Sequence, residues 1–178
     1  MAITATDILF KFSVAAAAGD TTAGTAAGSL GDQISTTQIT DATLHNLFDV
    51  VTGDENAASE AEYRCFFVHN NHATLTWENV VVWLSSETAG GAVAAISVDT
   101  TGVTAKGLAS AQAKTVADEN TAPATQTFSA PTTKATGLSI GNIAAGSVQG
   151  IWVRRTAANS AALDTDGVVI RCEGDTAA

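Results

Sequence analysis

The feature that most constrains this chain is the stretch from Glu62 to Leu84, EYRCFFVHNNHATLTWENVVVWL, where large apolar side chains are densest. It holds about half of the chain's aromatic residues and a run of three valines. Side chains alternate between two faces along an extended strand. Odd-numbered residues from Tyr63 to His69 therefore share one face, and the even-numbered residues between them share the other.

The polar step at residues 70–72, Asn-Asn-His, predicts a tight turn, because Asn tolerates the left-handed backbone of hairpin turns. After the turn, alternation predicts Trp77 and Asn79 on one face and Glu78 and Val80 on the other. The sequence thus predicts a hairpin of two strands at the core of a β domain.

Composition favours a single β-rich domain with a thin core. Leu, Ile, Val and Phe make up 39 of 178 residues, or 22%, only slightly above the roughly 20% level below which chains tend to be disordered. Ile and Val number 24 against 9 Leu, and β-branched side chains favour strands. We therefore expect an all-β fold, with part of its stability supplied by association with a partner.

Residues 1–40 are expected to form a strand and a flexible arm. Ile3 to Val14 alternates as a strand does, whereas Ala15 to Ile39, called the strap below, consists mostly of Ala, Gly, Thr and Ser. Such a segment buries too little to offset the entropy of ordering it. We expect it to stay flexible or to lie across a partner's surface, with Leu30, Ile34 and Ile39 in contact.

Residues 41–178 are expected to form one β-sandwich domain. Asp41 to Thr52 has apolar residues at helical spacing, although a structured loop fits it equally, and residues 53–62 are predicted as an acidic turn. Seven or eight short strands separated by turns indicate a β-sandwich, jelly-roll-like, with an extended N-terminal arm. The further strands are predicted at Ala92–Val98, Thr125–Ala130, Leu138–Ile140, Val148–Arg155 and Val168–Glu173.

The net charge of −10 is concentrated near the N-terminus, where residues 1–60 contain eight acids and one Lys. Nucleic-acid binding needs clustered Lys or Arg, so that class of function is excluded. The sequence has no apolar run of 18 residues and no basic-then-apolar leader, so neither membrane insertion nor secretion is expected. Arg154, Arg155 and Arg171 are expected to pair with nearby acids, the alternative being an anchoring patch for an acidic partner.

No arrangement of residues predicts an enzyme, a cofactor or a metal ion. His69 and His72 point in different directions in a strand and a turn, without a third ligand nearby. The acidic pairs at 54–55 and at 164 and 166 lack the spacing of a calcium loop. Nucleophile and phosphate-binding motifs are also missing.

Cys65 and Cys172 fall in two different predicted strands. A disulfide would require those strands to face each other across the sandwich. Two buried thiols are favoured, because disulfides do not persist in a reducing cytoplasm.

Two segments resemble proteins of tailed-bacteriophage virions. HNLFDVVTGDENAASEAEYRCFFVHNNHATLTWENVVVWL, from His45 to Leu84, is similar to a recurring NLFD turn, acidic link and YRC strand. GIWVRRTAANSAALDTDGVVIRCEGD, from Gly150 to Asp175, resembles their closing hairpin. SLGDQIS, at Ser29 to Ser35, is similar to the opening of the first segment. Together these segments cover about 70 of the 178 residues.

The resemblance implies a capsid decoration, or cement, protein. Such proteins commonly sit as homotrimers on the outer capsid and bridge subunits of the major capsid protein. A location in the virion after synthesis in the bacterial cytoplasm follows from the same resemblance. The alternatives are a phage tail or baseplate β domain and a carbohydrate-binding module using Trp77, Trp83 or Trp152 as a platform.

The capsid or inter-subunit contacts are expected in three segments: the N-terminal strand, the strap and the 41–52 segment. Ordering a strap against a partner would bury apolar area that the monomer cannot bury by itself. The predicted contact residues are Ile8, Phe10, Phe12, Leu30, Ile34, Leu47 and Phe48.

Overall fold

The computed structural model describes residues 2–15 and 19–176, and within these ranges nine strands form two antiparallel sheets that pack face to face. The fold is the all-β sandwich that the sequence predicts. A short helix, α1, spans Gly53–Ala58, and 3₁₀ turns occupy Ala5–Asp7 and Lys134–Thr136. The strands are β1 Ile8–Val14, β2 Gln33–Gln38, β3 Ala61–Asn70, β4 Trp77–Glu87, β5 Val93–Val98, β6 Thr104–Ala105, β7 Leu138–Ile143, β8 Ser147–Thr156 and β9 Val168–Thr176.

The larger sheet has the order β2-β1-β3-β8-β5, with β6 also paired to β8, and the smaller sheet has the order β7-β4-β9. From β3 onward the chain passes repeatedly from one sheet to the other: β3, β5, β6 and β8 lie in the larger sheet, and β4, β7 and β9 in the smaller one. This exchange of strands between two sheets is the jelly-roll-like feature of the sandwich.

Two apolar clusters lie on opposite faces of the larger sheet. Phe66 and Val68 of β3 face the smaller sheet and pack with β4, β7 and β8 residues in what we call the inner cluster. Cys65 and Phe67 face the other way and pack around Trp152 of β8 in what we call the outer cluster. The predicted alternation along β3 is therefore confirmed, and both of its faces are buried.

The outer cluster is covered by loops, among them the strap. Ile34 of β2 is fully buried in this cluster with Trp152. The backbone N–H of Cys65 donates to the Ser29 carbonyl oxygen at 2.7 Å, and that of Tyr63 donates to Glu119 at 2.7 Å. The prediction of a strap on a partner's surface is thus wrong for residues 19–39, which pack on their own sheet; residues 16–18 lie outside the described residues.

The predicted hairpin is also wrong, because β3 and β4 belong to different sheets. Residues 71–76 cross between the sheets, which stack roughly 10 Å apart in sandwiches. The Asn70 amide donates to the carbonyl oxygens of Leu75 and Ile143, both at 2.9 Å. Nδ1 of His72 accepts from the backbone N–H of Leu75 at 2.9 Å. These hydrogen bonds stabilise the crossing from one sheet to the other. The segment is therefore not a two-residue hairpin turn.

A β-bulge at Asn79 corrects the predicted faces of β4. Asn79 has a left-handed backbone with φ of 51°, and the pairing register shifts between Trp77 and Val80. The extra residue reverses the alternation, so Trp77 and Val80 both enter the inner cluster.

The helix lies later in the chain than the sequence predicts. Residues 41–52 form turns, which is the structured-loop alternative, and α1 occupies the segment predicted as an acidic turn. Thr52 and Glu55 form a reciprocal capping box that starts α1. The strand predicted at Thr125–Ala130 is reduced to a single bridge between Ser129 and Ile96.

We expect Asn70→Ala to lower the free energy of unfolding by roughly 2–4 kcal/mol, because the buried carbonyl of Ile143 and that of Leu75 lose their donor. Asn71→Ala is the matched control, since this neighbouring side chain is exposed, and it should change stability by no more than about 0.5 kcal/mol. Urea denaturation measures both values. Equal small losses would contradict the assigned role of Asn70.

Candidate functional site

The seven predicted contact residues are placed in three separate parts of the molecule. Ile8, Phe10 and Phe12 lie on β1, and each is partly buried. The ring centroid of Phe10 is 5.8 Å from that of Phe66 in the inner cluster. Ile8 and Phe10 line an open groove of about 250 Å³ between the N-terminal segment and the end of β9. The fold brings these two predicted residues together.

Leu30 and Ile34 belong to the outer cluster. Leu30 is partly buried against it, and Ile34 has 0% of its surface exposed. A partner can reach Ile34 only if the strap leaves the sheet. Ile34 is therefore a core residue, and its assignment as a surface contact is corrected.

Leu47 and Phe48 pack against the inner cluster from the 41–52 loop. The guanidinium of Arg155 stands 4.8 Å from the centroid of the Phe48 ring, a cation–π contact. Arg155 also donates to Glu62 and to both the carbonyl and the carboxylate of Asp49. Burial raises the pKa of Glu62 above its ordinary value, while the hydrogen bond and charge of Arg155 act to lower it. The predicted pairing of Arg155 with acids is confirmed.

The loops at one end of the sandwich form a surface that sequence reasoning missed. β3, β5 and β9 begin at this end, and β4 and β8 finish there. We call residues 47–60, 87–93 and 157–169 the acidic pole. Residues 41–46 lie away from it, because the Asn46 amide donates to the Thr40 carbonyl oxygen, and the neighbouring Ile39 bonds Phe10 near the far end of β3. The three segments of the pole contain seven Asp and Glu and no Lys or Arg.

Exposed apolar side chains gather at the acidic pole. Among the described residues it holds four of the seven most exposed large apolar side chains: Val50, at 63% exposure, together with Val93, Leu163 and Val169. No periodic pattern in the sequence marks these positions as members of one surface.

Hydrogen bonds join the separate loops of the acidic pole. The Asn56 side-chain amide donates to the Ser160 carbonyl oxygen at 2.8 Å, and the Ser160 hydroxyl donates to Gly90 at 2.9 Å. The backbone N–H of Ala92 donates to a carboxylate oxygen of Asp166 at 2.7 Å. The acidic pole is therefore one continuous surface.

The tryptophans do not form a carbohydrate platform. Trp77, Trp83 and Trp152 are all buried. The indole N–H of Trp152 donates to Asp99 at 2.8 Å inside the protein. Because a sugar platform needs an exposed aromatic face, this part of the carbohydrate-binding alternative is wrong.

Both cysteines are free thiols, as favoured from the sequence. Burial raises the pKa of Cys65 well above its ordinary value and raises that of Cys172 to about 12. Both thiols are therefore protonated at neutral pH, and the thiolate is the nucleophilic form. Within residues 2–15 and 19–176, no three His, Cys, Asp or Glu residues form a group that could hold a metal ion.

His69 is the one histidine enclosed by the fold, with 1% of its surface exposed. Neither ring nitrogen has a hydrogen-bond partner among the described residues. Burial, together with the charges of Lys11 and Lys106 and against the opposing charge of Asp20, lowers the pKa of His69 from 6.5 to about 4. His69 is consequently neutral at pH 7.

We expect acid to destabilise the protein through His69. Its pKa is about 4 when folded and 6.5 ordinarily, so the unfolded chain binds the proton first as the pH falls. Stability is then lost between pH 6.5 and pH 4, by roughly 3 kcal/mol in total.

Denaturation of wild type and His69→Gln at several pH values measures this loss, since the variant should be less sensitive over that range. His45→Gln is the control, because His45 is exposed. An identical pH dependence in wild type and His69→Gln would refute the assignment.

Among the described residues, no helix is long and apolar enough to cross a bilayer. The chain matches no protein-family profile, no curated protein and no solved structure.

Proposed function

We propose that this chain is a non-enzymatic capsid decoration (cement) protein of a tailed bacteriophage. It binds the outside of the major capsid shell and stabilises the shell by bridging neighbouring subunits. Its place is the outer surface of the virion, after synthesis in the host cytoplasm. The resemblance of His45–Leu84 and Gly150–Asp175 to virion proteins supports the phage assignment.

The observation that carries the proposal is the collection of exposed apolar side chains at the acidic pole. Contiguous exposed apolar surface with a polar surround is typical of protein–protein contact sites. The acidity of the same surface disfavours nucleic acid as the partner. A protein-binding role is thus the function that this geometry supports best.

The two segments that carry the resemblance are neighbours in space, which adds support. β3 and most of β4 come from the first segment, and most of β8 and of β9 come from the second. β3 pairs with β8, and β4 pairs with β9. The resemblance therefore covers the centre of both sheets and most of the acidic pole, and not scattered surface positions.

A homotrimer is part of the proposal, on the resemblance alone. Light scattering after size exclusion should then give a mass near three times 18.0 kDa. The competing proposal is a tail or baseplate domain. The two differ in the number of copies per virion, which is hundreds for a decoration protein and at most a few dozen for a baseplate part.

We expect the purified protein to bind saturably, in hundreds of copies, to empty shells assembled from the major capsid protein of the same phage. Bound protein should raise the temperature at which the shells disrupt, because a ligand of the assembled state stabilises that state. Co-sedimentation gives the copy number, and calorimetry gives the disruption temperature.

Complete virions serve as the control, since their sites are already filled and should take up no more protein. Absence of binding to empty shells would overturn the proposal. A few copies per virion, confined to the tail, would favour the baseplate role instead.

A further inference from the structure

We propose that the acidic pole is the surface with which this protein docks, and that its partner presents aliphatic side chains within a rim of Lys and Arg. This inference rests on the proposed function, in which the partner surface belongs to the capsid shell. It replaces the contacts predicted on β1 and in the strap, which are partly or wholly buried.

The first support is the concentration of apolar exposure. Single exposed apolar residues are normal on protein surfaces. Here Val50, at 63% exposure, lies in the first segment of the acidic pole, and Val93, Leu163 and Val169 lie in the other two. Leu44, Val103 and Leu108, the other three residues of this kind, lie outside the pole.

The second support is that the loop carrying Val50 is held in place. Arg155 bonds the carbonyl and the carboxylate of Asp49, next to Val50, while its guanidinium stacks on Phe48. A surface fixed before contact loses less conformational entropy on binding than a mobile loop does. The loop is therefore suited to docking without refolding.

The third support is charge, which selects the partner. The acidic pole carries seven acids and no Lys or Arg. Two copies meeting pole to pole would place these acids against each other, and like charges across an interface cost several kcal/mol. Anionic lipid and nucleic acid are disfavoured for the same reason. A protein surface with apolar side chains and a basic rim satisfies both features.

The test uses the full chain and empty shells of the same phage. The triple variant Val50→Ser, Leu163→Ser, Val169→Ser should weaken binding by roughly tenfold or more, since interface centres carry most of the affinity. The double variant Leu44→Ser, Leu108→Ser removes exposed apolar residues outside the pole, at 67% and 38% exposure, and should bind as wild type does. Unchanged denaturation midpoints show that both variants fold.

The charge requirement is tested separately with the double variant Asp54→Asn, Asp164→Asn. If the partner is basic, this variant binds more weakly at low salt. Its affinity also falls less than that of wild type when NaCl rises from about 50 to about 500 mM, because salt screens exposed charges. Tighter binding by this variant would contradict the proposal that the partner surface is basic.

The remaining outcomes separate the two proposals. Wild type that binds shells, with the triple serine variant binding equally well, overturns the docking surface and leaves the proposed function standing. Wild type that does not bind overturns the proposed function, and the docking inference with it. A lower mass of the triple variant in light scattering would assign the acidic pole to contacts between copies and would overturn the proposed partner.

Discussion

The fold depends on the burial of both faces of the β3–β8 ladder. These two strands pair continuously from Ala61 with Thr156 to His69 with Val148. Antiparallel sheets commonly bury one face and expose the other. Here the smaller sheet covers one face, and the strap with the 106–119 segment covers the other. A chain with few large apolar residues thus forms two small clusters around one pair of strands.

When loops cover a sheet, their buried backbone N–H and C=O groups need hydrogen-bond partners. Asp99, which is buried, supplies several of them: its carboxylate accepts from the backbone N–H groups of Thr101 and Lys114 and from the Trp152 indole. The Gln112 side chain accepts from the backbone N–H of Ile34 at 2.9 Å. The outer cover is therefore held by buried polar side chains as much as by apolar contact, which explains how residues so poor in large side chains become ordered.

How much of this could be predicted from the sequence depends on whether the deciding interaction is local. Alternation and β-branched residues located β3, β5, β8 and β9 to within a few residues, because these signals lie within each strand. The hairpin prediction failed because Asn70 bonds Ile143, 73 positions away. The strap prediction failed because Ile34 is buried by residues distant in sequence. The exposure of Leu44 likewise follows from the absence of a helix at residues 41–52.

The distribution of charge separates the part of the chain that folds from the part that is presented to solvent. Seven of the eighteen acids lie in the acidic pole without a Lys or Arg. The rest of the chain holds the other eleven acids and all eight Lys and Arg, and so has a charge of −3. Repulsion among like charges opposes compaction at the pole, and Val50 and Val93 are too exposed to contribute much by burial. A surface that costs folding stability and buries little becomes favourable when a second surface covers its apolar side chains and supplies positive charge.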